Sequence, residues 1–104
     1  TASALRDAVR AAAVQASALL ALGRIDEALT VARAALARLQ ASPLRDTPAL
    51  QADLLLPLGQ ALQRQGQVAE ACSTLGQALQ LRTRALGEAS ALLVPVRRAA
   101  AGCA

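Results

Sequence analysis

Few side chains in this 104-residue chain can do chemistry: two cysteines, Cys72 and Cys103, one adjacent acid pair, Asp26-Glu27, and no histidine. Two thiols without nitrogen co-ligands fall short of a four-ligand zinc set. A nucleophile needs a base within hydrogen-bond reach, and no imidazole is present to serve. No glycine-rich loop follows a strand-like run, so nothing is shaped to cradle phosphate. Asp26-Glu27 opens a helix-forming stretch, where carboxylates complement the helix dipole, and it reads as a helix start instead of an acid–base pair. Cys72 sits in an apolar helical run, where a free cysteine acts as a small buried hydrophobe. Both thiols are expected reduced, and a cytoplasmic setting with them. The expectation is a non-enzyme with no metal and no cofactor.

The elements that carry these residues are helices. Hydrophobic residues make up 55% of the chain while aromatics are at 0%, and the apolar content is chiefly Ala and Leu. Those residues favour helix, and the β-branched and aromatic residues that favour strands are scarce. An all-α fold of about five helices follows. The first spans about Ala2 to Ala21 and ends at Gly23; the second spans about Asp26 to Leu39 and stops before Ser42-Pro43. Thr47 is expected to cap a third helix with Pro48 in its first turn, running to about Gln65. A fourth follows Gly66 to about Leu86. A fifth starts at Ser90, or at Val94 beside Pro95, and runs to the end of the chain. Pro57 falls inside the third helix, where it removes one backbone bond and should bend it.

The run Ala11–Leu22 has the look of a leader's apolar core, but Asp7, Gln15 and Ser17 weigh against that. No uncharged run reaches the roughly 20 residues of a membrane-spanning helix. The net charge of +4 is carried by Arg alone and is spread evenly over both halves. Without a basic stripe or aromatic rings for base stacking, nucleic acid is the less favoured partner.

A repeat organises the chain. Gly23 and Gly66 lie 43 residues apart, and the same shift sets Leu19 on Leu62, Ile25 on Val68, Glu27 on Glu70, Ala28 on Ala71, Ala35 on Ala78 and Leu36 on Leu79. One unit covers about residues 9–46, a second about 52–89, and a partial third about 90–104. With no initial Met, the chain is expected to be a piece of a longer protein.

The second unit resembles a tetratricopeptide-repeat (TPR) helix pair. The residues that carry the resemblance are Leu55, Leu58-Gly59, Leu62, Gly66, Val68, Ala71, Leu75 and Ala78. In the first unit they are Ala12, Gln15-Ala16, Leu19, Gly23, Ile25, Ala28, Ala32 and Ala35. The third offers Arg98 and Ala101-Gly102. The spacing exceeds the common TPR period of about 34 and is similar to the longer kinesin-light-chain type, used in bacterial proteins beside kinase, ATPase or regulatory domains. Small Gly59, Ala71 and Ala78 should let two antiparallel helices approach closely, with Leu55, Leu62, Val68 and Leu75 filling the space beside them.

The resemblance implies a right-handed superhelix of helix hairpins, serving as a scaffold or sensor part of a larger protein. Its concave groove would hold a peptide or helix of another protein. Carried over position by position, the groove residues are Arg10, Ala13, Ser17 and Leu20 in the first unit. The second unit supplies Asp53, Leu56, Gln60, Gln63 and Arg64, and the third supplies Ala99 and Cys103. The Lys/Asn clamp of chaperone-binding TPRs is absent, since the chain has neither residue type. Arg10 and Arg64 are expected to attract acidic residues of the partner. The alternative is self-association: the fifth helix has few charges beyond Arg97 and Arg98, and an uncapped end would support a homodimer.

Overall fold

The computed structural model describes residues 1–103. It is all-helical among those residues, with five α-helices: α1 Ala2–Ala21, α2 Ile25–Gln40, α3 Pro48–Arg64, α4 Val68–Leu86 and α5 Val94–Ala101. A 3-10 turn, Ala91–Leu93, leads directly into α5. Both possible starts of the fifth helix are thus in use, because Ser90 accepts from the Leu92 amide to cap the turn and Pro95 sits in the first turn of the α-helix.

The first two helices are joined by a bend at Gly23, and the next two by a bend at Gly66, with φ of +77° and +83°. Each bend closes the same way. The Arg24 amide donates to the Leu19 carbonyl (2.8 Å) and Gly23 to Leu20 (3.0 Å); Gln67 donates to Leu62 (3.0 Å) and Gly66 to Gln63 (3.0 Å). This is the Schellman arrangement, which satisfies the last helical carbonyls and needs a residue free to take positive φ. Arg24 and Gln67 then start the following helices with near-equal backbone angles, −89°/71° and −84°/69°.

α1 packs on α2 and α3, α2 on α3, and α3 on α4, while α5 leans chiefly on α4. The α3–α4 pair is the tightest. Gly59, Ala71 and Ala78 are buried between those helices, and Leu75 fills the seam with none of its surface exposed. A second apolar cluster, Val9, Ala35, Leu39, Leu50 and Leu54, binds the first hairpin to the start of α3. Leu93 and Val96 are fully buried and dock the C-terminal segment.

Two sequence expectations need correction. Val68 does not fill the core: it is the first residue of α4 and 58% exposed, whereas its counterpart Ile25 is half-buried. Thr47 occupies the cap position of α3 beside Pro48, but its side chain makes no capping bond. Pro57 lies inside α3, as expected, and is buried. Pro57 has no amide hydrogen, so the Asp53 carbonyl one turn earlier loses its helical donor.

Candidate functional site

α1, α3 and α5 lie side by side on one flank and enclose a groove of about 500 Å³. From α1 come Ser17, Leu20 and Ala21; from α3, Gln60, Gln63 and Arg64; from α5 and its start, Val94, Pro95, Arg98 and Ala99. Five of the residues singled out from sequence on α1 and α3 therefore share one concavity: Ser17, Leu20, Gln60, Gln63 and Arg64.

Two of them tie the walls together. Arg64 Nη1 donates to the Leu20 carbonyl across to α1, at 2.5 Å. That carbonyl belongs to the last turn of α1, where a cation complements the negative end of the helix dipole. Gln63 Nε2 donates to the Ala99 carbonyl of α5 at 3.4 Å. Arg98, from α5, makes no ion pair or hydrogen bond among the described residues. Among those residues the lining includes two guanidinium groups and no carboxylate. Its apolar part is formed by Leu20, Val94, Pro95 and two alanines.

Ala99, carried over from the third unit, also lines the groove, and the remaining predicted residues go elsewhere. Arg10 is exposed on α1 away from the groove, and Ala13 is half-buried against the cluster around Val9 and Leu39. Leu56 is half-buried and packs on the main core. Asp53 is engaged within the fold: its Oδ1 accepts from Arg82 Nη2 of α4 at 2.9 Å, both side chains largely shielded from water.

Cys103 is not a groove thiol. It is bonded to Cys72, 31 residues earlier, with the two Cα atoms 5.4 Å apart. This overturns the expectation of reduced thiols. Cys72 occupies the second turn of α4, and Cys103 follows α5 after Gly102, so the bridge joins the end of the last helix to the side of the one before it.

Sequence matching missed Val94, Pro95 and Arg98. The shift of 43 sets Leu93 on Leu50, both buried, but it sets Arg98 on the buried Leu55. The 3-10 turn is the cause: it winds at about 3.0 residues per turn, not 3.6, and so rotates all that follows. Val96 takes the core position and Arg98 moves to the groove side. The signal was present in the sequence, because adjacent charges at Arg97-Arg98 do not suit the buried positions that Leu54 and Leu55 occupy.

No protein family, curated protein or solved structure matches this chain. Its functional reading rests on its own geometry. Among the described residues no group of three or more Cys, Asp or Glu side chains is placed to hold a metal ion. Among the same residues, no helix is long and apolar enough to cross a membrane.

Proposed function

We propose that the chain is a TPR-like protein-interaction module whose α1–α3–α5 groove binds an acidic, partly apolar segment of another protein, either an extended peptide or one face of a helix. The observation that carries this reading is the groove's charge: Arg64 and Arg98 face one concavity with no Asp or Glu among its described lining residues. Guanidinium forks pair with carboxylates bidentately, and the Leu20, Val94 and Pro95 surfaces suit the apolar side chains between them. Gln60, Gln63 and Ser17 can donate to and accept from a partner's backbone.

The matching Schellman bends and the small-residue seam support a superhelix of repeated hairpins, and the kinesin-light-chain-like spacing agrees with the same reading. In a larger protein the module would act as a scaffold or sensor part. A cytoplasmic setting belongs to this proposal too, although the Cys72–Cys103 bond would be exposed to reduction there.

A short fluorescein-labelled peptide of mixed Glu and Leu, titrated with the chain and followed by anisotropy, tests the reading. Saturable binding that Arg98→Glu removes supports it. Equal binding by wild type and Arg98→Glu overturns it.

A second reading has its own observation. Leu92 and Val94 are 64% and 47% exposed at the C-terminal end. At the other end, Leu5, Ala8, Val31 and Ala34 line an apolar cleft between α1 and α2. A homodimer formed through either end would cover that patch on both copies. Light scattering decides it, since a strict monomer at high concentration removes the homodimer.

A further inference from the structure

The Cys72–Cys103 bond is placed where it can govern the groove. We propose that it is a redox lock on the α5 wall: oxidised, it holds Arg98 and Pro95 against the groove; reduced, it lets that wall swing free and weakens binding. The functional half of this proposal rests on the groove reading above.

α5 has only eight residues. A helix that short does not persist in water without packing. Its packing is thin: within the 3-10 turn and α5, only Leu93 and Val96 are buried. Its polar tether to α3 is the single 3.4 Å bond from Gln63 to the Ala99 carbonyl. Arg97 donates at 2.7 Å to the Glu88 carbonyl, but that lies in α5's own connection and does not hold α5 to the body. The remaining attachment is covalent. Residues 73–102 form the closed loop, and cutting the bond restores to α5 the freedom that closure removed.

Both cysteines are half-buried, so a small reductant can reach them. The exchange needs a dithiol. One thiolate of the reductant attacks a sulfur of the bridge, forming a mixed disulfide and releasing the other cysteine as a thiolate, which takes up a proton. The reductant's second thiolate then displaces the first cysteine. The reductant leaves as a cyclic disulfide, two electrons poorer, and the chain has two thiols.

Loosening α5 lowers the fraction of molecules with a complete groove, and apparent affinity falls by that fraction. The test compares the chain with and without dithiothreitol, alongside Cys72→Ser/Cys103→Ser. Amide exchange is read helix by helix, and the Glu/Leu peptide is titrated by anisotropy. On reduction, α5 amides should exchange faster while α1–α3 hold their protection, and the peptide Kd should rise about tenfold. The double-serine variant should match the reduced chain and ignore the reductant.

Unchanged α5 exchange overturns the lock. So does loss of protection throughout the chain, which would make the bridge a general staple. Faster α5 exchange with unchanged Kd overturns the regulation alone. Faster α5 exchange with no peptide binding in either state defeats the groove reading, and the regulation with it, while the conformational release stands.

Discussion

Leu75 packs against the bare Cα of Gly59 so closely that a Cβ there would lie 2.7 Å from its Cγ and Cδ2. The α3–α4 seam is closed to any larger residue at that point. Gly59→Ala should destabilise the chain by about 1–3 kcal/mol through overpacking, although Ala is the better helix former. Leu75→Ala should cost about 2–5 kcal/mol. The two changes share one space, so in urea titrations the double variant should lose less than the sum of the singles.

Gly23 and Gly66 have positive φ and open space where a side chain would go. The obstacle to Ala is therefore backbone conformation alone. Gly23→Ala and Gly66→Ala should each cost about 1–2 kcal/mol, by similar amounts, with Asn milder at both positions. Gly76 is the contrast, lying inside α4 without a positive φ and with nothing within 4 Å of where a methyl group would stand. Gly76→Ala should stabilise by about 0.4–1 kcal/mol. Thermal melts on the three variants check all three signs.

The Asp53–Arg82 pair is partly shielded, and Arg82 Nε is buried with no partner among the described residues. Asp53→Ala would leave the guanidinium without its carboxylate and should cost about 1–3 kcal/mol. A second change, Arg82→Ala, should recover part of that loss, as a double-mutant cycle would read. Asp53→Ala should leave peptide affinity near wild type, because this carboxylate serves the helix pair and not the groove.

Arg98 is the groove charge with no partner among the described residues, whereas Arg64 also bridges α3 to α1. Arg98→Glu should lower affinity for the Glu/Leu peptide more than tenfold at low salt, with little change in melting temperature. Arg64→Glu should lower both. Raising ionic strength should weaken wild-type binding steeply and Arg98→Ala binding less, since exposed charges are screened.

The helices were legible in the sequence because local signals agreed. Ala and Leu set the helical state, Gly23 and Gly66 marked the bends, and Thr47-Pro48 opened α3 in the expected place. Half the candidate groove was legible too, on α1 and α3, where the shift of 43 preserves the facing of Ser17, Leu20, Gln60, Gln63 and Arg64. What failed depended on contacts between segments distant in the chain. The Cys72–Cys103 bond needs α5 folded back on α4, and local helical pattern carries no trace of that. Asp53 was read as a groove residue because its position on α3 was known but Arg82 on α4 was not. On α5 only Ala99 was placed in the groove, and Val94, Pro95 and Arg98 were missed because one tighter turn, Ala91–Leu93, broke the phase that the earlier units share.

The two glycine bends reverse the chain with almost no spare length: three residues separate α1 from α2, and three separate α3 from α4. An extra residue there would break the paired amide–carbonyl bonds that close each bend and displace the next helix from its packing. The stretch from Ala41 to Thr47 is different, seven residues long and anchored by the Ser42 hydroxyl at the end of α2. Grafts and tags that would wreck either bend have room in that stretch, which makes it the natural doorway for lengthening the chain without disturbing its register.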